Sequence, residues 1–147
     1  MKFKFSLEKL LQYRRQLEDL AKKDYLEVFA TLEEEKAKLK SYYKATDDSR
    51  TYAQSLEVRG GRQAEGLVQS HHFIKGTAIK IELQKKNVEK IQLLVEEKLE
   101  ILRQASIESK MIERLKENKK EEFKKLEKKS EQKFLDEMVT LRHKGLK

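Results

Sequence analysis

Between Ser6 and Val58 the apolar residues recur at steps of three and four: Leu7, Leu10, Leu17, Ala21, Tyr25, Val28, Leu32, Leu39 and Tyr42. This spacing draws one narrow stripe along a helix, closer to a coiled-coil seam than to the broad apolar face of a globular helix. Ser6 is placed to cap the first turn, with Glu8 well sited near the helix N-terminus. Glu18/Lys22, Asp19/Lys23 and Glu34/Lys38 set an acid four residues ahead of a base, the better orientation. Thr46-Asp47-Asp48-Ser49 lowers helix propensity, because short polar side chains compete for backbone hydrogen bonds, so this end of the helix is expected to be the less stable one.

The turn-forming residues gather in Arg59-Gly60-Gly61-Arg62-Gln63-Ala64-Glu65-Gly66, with Ser70 beyond. After them the stripe resumes with Ile74, Ala78, Ile81, Val88, Val95 and Leu102. It thins through Met111, Ile112, Leu115, Phe123, Leu126, Phe134, Met138 and Leu141 to Gly145, a candidate C-cap. The pattern predicts helix one over about 6–58, a turn over about 59–70 and helix two over about 71–143, in one domain spanning 1–147. A seam this narrow has only the other helix to bury itself against. The expected fold class is therefore all-α, a long antiparallel two-helix coiled-coil hairpin with helix two overhanging by on the order of 25 Å.

Two stretches of helix two stand out. Lys116 to Lys133 carries few apolar residues and abundant Lys and Glu, which suits a solvated strut or a segment that packs only inside a partner. In 88–102 the opposite holds. There Ile91, Leu94 and Ile101 form a second apolar line beside Val88, Val95 and Leu102, more than one helix would cover, so pairing with a second copy stays open.

Composition narrows the chemistry. With 41% charged against 37% hydrophobic residues, no Pro and five Gly in 147 residues, the chain favours extended helices over a compact interior. Its net charge of +8 arises from finely interleaved signs and remains small and positive in each part of the chain, with no basic cluster to track a phosphate backbone, so we expect no nucleic acid as partner. No Cys means no disulfide, thiolate site or cysteine nucleophile. The opening Met1-Lys2-Phe3-Lys4-Phe5-Ser6 has no apolar h-region and no stretch near 20 residues could span a bilayer, so neither a signal peptide nor a membrane span is expected.

Adjacent carboxylates such as Glu33-Glu34-Glu35, Asp47-Asp48 and Glu96-Glu97 diverge by about 100° on a helix and cannot converge on one substrate. His71 and His72 diverge likewise and His143 lies far off, so no enzyme, metal or cofactor is expected. The glycine cluster lacks the preceding strand and following Gly-Lys-Ser/Thr of a phosphate cradle. Of Tyr42 and Tyr43, at most one can lie in the seam, which leaves the other as a shield for the hairpin or an anchor for a partner.

The opening Phe3-Lys4-Phe5-Ser6-Leu7-Glu8-Lys9-Leu10-Leu11-Gln12-Tyr13-Arg14, then Leu17-Glu18 and Leu32-Glu33-Glu34-Glu35-Lys36-Ala37-Lys38-Leu39, resembles the FliJ family of the bacterial flagellar type III export apparatus. Beyond the turn, Phe73-Ile74-Lys75-Gly76-Thr77, Ile81, Gln84 and Val88 is similar to the family's start of helix two, with Thr77 where Leu is usual. The resemblance implies a hairpin similar to the γ-subunit stalk of rotary ATPases. It implies as partners the hexameric export ATPase FliI, whose assembly such proteins promote, the cytoplasmic domain of the export gate FlhA, and export chaperones. It also implies a cytoplasmic location, peripheral to the inner face of the cell membrane at the flagellar base through those partners.

For gate binding the matching positions are Glu35, Leu39, Tyr42 and Thr46 as a surface line on helix one, with Phe73, Thr77, Lys80 and Gln84 opposite; Thr46 stands where the family has an aromatic. For the ATPase ring they are Phe3, Phe5, Leu7, Leu10 and Tyr13 with Phe134, Met138, Leu141 and Arg142, since antiparallel helices bring both termini to one end. The rival expectations are the equivalent stalk of a virulence injectisome and a generic basic coiled coil that binds membrane or nucleic acid.

Overall fold

A computed structural model describes residues 2–60 and 64–145. These form two helices, α1 (Glu8–Arg59) and α2 (Ala64–Gly145), paired as an antiparallel coiled coil. Met1, Gly61, Arg62, Gln63, Leu146 and Lys147 lie outside the described residues, and with them part of the expected turn. Packing groups the chain into two units: unit 1 comprises 1–20 and 103–147, unit 2 comprises 21–102.

In unit 2 the sheltered positions keep a strict heptad. On α1 they are Leu32, Leu39, Thr46 and Ala53, each followed three residues on by Glu35, Tyr42, Ser49 and Leu56. On α2 they are Leu67, Ile74, Ile81, Val88 and Val95, each followed by Ser70, Thr77, Gln84, Ile91 and Lys98. A seven-residue repeat of this kind holds one seam against one partner. Its most buried apolar members are Ala21, Leu32, Leu56, Ile81 and Val95.

Polar contacts at two levels cross the seam and fix the register. Ser49 and Ser70 join hydroxyl to hydroxyl at 2.8 Å, and Ser70 Oγ also donates to the Ser49 carbonyl at 2.9 Å. Gln84 Nε2 donates to the Glu35 carbonyl at 3.0 Å. From the second contact to the first, α1 advances by as many residues as α2 retreats, as antiparallel pairing requires.

α1 ends where the sequence places it, and the cause is visible. Gly60 adopts φ 66°, and its N–H reaches the carbonyls of Leu56 and Glu57, both at 3.2 Å. This is the left-handed glycine stop that only Gly takes without a Cβ penalty. Helix two, by contrast, begins at Ala64 and not at 71. Gly66, expected as turn punctuation, is helical: a Cβ there would lie 2.7 Å from Leu56 Cδ1, so this glycine serves close approach of two helices. Gly145 is likewise the last residue of α2 without a positive φ, not the C-cap expected of it.

In unit 1 the seam closes on Leu11, fully buried, and Ser109, 1% exposed. The first helical bond runs from Leu11 N–H to the Leu7 carbonyl, so Leu7 and not Ser6 takes the N-cap position. Ion pairs cross between the helices: Lys116–Glu8 at 2.8 Å, Arg15–Glu113 at 3.0 Å, and Arg14–Glu108. The Phe3 and Phe123 rings pack at 5.6 Å. Beyond Phe123 every residue from Lys124 to Gly145 is exposed, about 30 Å of helix with one face or another always in solvent. The stretch that is exposed throughout therefore starts after Phe123, since Lys116 and Phe123 inside the expected Lys116–Lys133 strut are already held by Glu8 and Phe3.

Candidate functional site

The expected gate line splits by burial. Glu35, Leu39, Tyr42, Thr46, Thr77 and Gln84 are heptad positions of the seam: Thr46, Thr77 and Gln84 are buried, Glu35, Leu39 and Tyr42 half-buried. They face the other helix of the pair rather than forming a surface line, because their three-four spacing is the spacing of the seam itself. Phe73, 50% exposed, and Lys80 stand outside it.

Glu35 is the electrostatic centre of this line. Its side chain takes hydrogen bonds from Gln84 Nε2 and, at 3.2 Å, from Asn87 Nδ2, while Lys38 Nζ lies 3.7 Å away. Gln84 first, against the opposing effect of burial, and then Lys38 and Asn87 hold its carboxyl below the usual glutamate range. Lys38 thus serves Glu35, three residues before it, rather than Glu34 as the sequence suggested. Beside this cluster Lys85 Nζ lies 5.9 Å over the Tyr43 ring and 3.4 Å from Glu82. Tyr43, followed by Glu82, raises the Lys85 ammonium above its ordinary value. So Tyr42 takes the seam and Tyr43, 42% exposed, the flank.

The expected ring-binding residues form two groups. Phe3 and Phe5, half-buried, and Leu7 line a shallow groove with Leu115, Phe123 and Leu126 of α2. Leu10 and Tyr13 are exposed beside them. Phe134, Met138, Leu141 and Arg142 do not join this group. They lie on the unpartnered end of α2, where Phe134, Met138 and Leu141 share one helix face at i, i+4 and i+7, widened by Leu135 and Val139 and bordered by Arg142.

Among the described residues no group of three or more His, Cys, Asp or Glu could hold a metal ion. No helix there is long and apolar enough to cross a membrane. Phe73 and Lys80 on α2 in unit 2 and the amphipathic end of α2 in unit 1 are exposed helix surface.

The family model described as flagellar FliJ protein matches residues 3–145. The chain belongs to the FliJ family. FliJ-family proteins are components of the flagellar type III export machinery. No curated protein matches the chain. Among solved structures it is similar to one described as a homologue of YscO, CT670 from Chlamydia trachomatis, at 24% identity and a TM-score of 0.44, covering 97% of this chain and 96% of the other.

Sequence reasoning passed over several members of these sites in the FliJ-family chain. The Ser49–Ser70 pair was missed because polar residues at seam spacing look like interruptions of a stripe, although the heptad count from Leu32 and Ile81 reaches both; Asn87 was missed because it stands one residue off that spacing, beside Val88. Phe123 was seen as an apolar residue but not as the partner of Phe3; the same count, carried from Leu102 through Ser109 and Lys116, reaches it.

Proposed function

We propose that this chain is the central stalk of the flagellar export ATPase, and that the exposed end of α2 is the part that enters the FliI ring. The observation that carries this reading is the stretch from Lys124 to Gly145, exposed throughout yet bearing Phe134, Met138 and Leu141 on one face. An apolar face without an intramolecular partner gains its burial, about 25 cal/mol per Å², only inside something else. Arg142 at its border supplies a charge-assisted contact. Phe3, Phe5, Leu7, Leu10 and Tyr13 form a separate collar in unit 1 that meets the ring mouth.

The mechanism is allosteric. One chain inside a sixfold ring cannot touch all subunits alike, so it favours different nucleotide states in different subunits and promotes assembly by binding the assembled form best. On the FlhA gate the docking surface is Phe73 and Lys80, with the open edges of Glu35, Leu39 and Tyr42; Thr46, Thr77 and Gln84 support it from within the seam. Export chaperones are a third class of partner, and the location is the inner face of the cell membrane at the flagellar base, through these partners. The test is ring formation and ATP hydrolysis by the purified export ATPase with the full chain, and with a chain carrying Phe134→Ser, Met138→Ser and Leu141→Ser. Stimulation by the first and not by the second is the expected outcome; equal effects, or none, would remove the stalk assignment.

A further inference from the structure

On α2 in unit 2 a second stripe repeats at steps of four and three on the face opposite the seam: Lys86, Lys90, Leu93, Glu97 and Glu100. All five are exposed, Leu93 by 66%, and Leu94 beside it by 40%. Lys86, Lys90 and Glu97 have no ion-pair partner among the described residues. The order of the stripe is base, base, leucine, acid, acid. Turned end over end about Leu93, it meets its own complement: Lys90 comes over Glu97, Lys86 over Glu100, and Leu93 over Leu93.

We infer that this stripe is a self-recognition surface on which α2 of a second copy packs antiparallel, with a two-fold axis at Leu93. Such an interface is isologous, so each charge pair occurs twice. The Leu93 side chains of the two copies meet at its centre with Leu94 on the flank, and the Lys–Glu pairs on either side select the antiparallel orientation, because a parallel alignment sets Lys on Lys and Glu on Glu. Glu89 and Glu96 line one rim and face one another across the axis, which weakens the pairing. The result is a dimer that forms with rising concentration and is lost with salt.

Charge exchange tests this directly, with sedimentation equilibrium as the readout. The wild-type mass is expected to rise from 17.5 kDa toward its double as concentration increases. Lys90→Glu and Glu97→Lys each set like charges together twice and weaken association by about tenfold. The chain carrying both exchanges restores it, and an equimolar mixture of the two single variants associates more tightly than either does alone. Glu96→Gln strengthens it. Since the chain has no Cys, Leu93→Cys gives a disulfide-linked dimer on oxidation. These positions are exposed, so helix content serves as the control for folding. A single 17.5 kDa species at every concentration, or association indifferent to both single exchanges, would overturn the inference.

Discussion

Unit 1 and unit 2 share one three-four spacing but join their helices by different means. In unit 2 the crossings are apolar burial at Leu32, Leu56, Ile81 and Val95 and hydrogen bonds at Glu35–Gln84 and Ser49–Ser70. In unit 1 the fully buried Leu11 is surrounded by the ion pairs Glu8–Lys116, Arg14–Glu108 and Arg15–Glu113, whose side chains are a third to a half exposed. Hydrogen bonds between small side chains fix register at little cost in area, whereas exposed ion pairs fix it only weakly. The unit that carries the free helix end is thus the one whose own pairing answers most readily to its surroundings.

The contrast can be broken most forcefully at the buried leucines. Leu32→Ala in unit 2 and Leu11→Ala in unit 1 should each cost about 2–4 kcal/mol in urea unfolding. Native-state hydrogen exchange should separate them, Leu11→Ala accelerating exchange in 103–123 and leaving 64–98 unchanged. Uniform acceleration by either variant would dissolve the distinction.

Gln84→Ala comes next, because it leaves the Glu35 carboxylate short of its main donor. It also carries a pH signature. The Glu35 carboxyl lies below its ordinary value when folded, so its contribution is fully present above the unfolded value and is lost as pH falls through the lowered one, from about pH 4 downward. The slope of stability against pH in that window should flatten in Gln84→Ala.

Salt sharpens the comparison with a smaller effect. Raising ionic strength to about 1 M should loosen unit 1 by less than about 1 kcal/mol per pair and leave the Ser49–Ser70 region unchanged, read as amide exchange. Smallest of all, ending the chain at Phe123 should change the unfolding free energy by no more than about 0.5 kcal/mol, since every residue removed is exposed.

The fold was legible because a narrow stripe, broken by one cluster of glycines, has few ways to be buried. α1 ended at the Gly60 stop as the residues suggested. The start of α2 was not legible, because Gly66 has the same composition signal whether it turns the chain or lets Leu56 approach. The candidate gate residues were legible as a line but not as a seam: Glu35, Thr46, Thr77 and Gln84 are polar, and polarity suggested surface where the heptad put them inside. The candidate ring-binding residues lie on both termini, but the reach of α2 past Phe123 depended on register, which Ser49–Ser70 and Glu35–Gln84 set and periodicity does not.

The central claim is that the end of α2 is a partner surface left open in the free chain. It is tested most directly by hydrogen exchange of the chain with and without the assembled export ATPase. The account predicts slow exchange appearing across 124–145, strongest around Phe134 to Leu141, with the amides near Phe73 and Lys80 unchanged. Unaltered exchange across 124–145 in a chain that nevertheless binds the ring would contradict it.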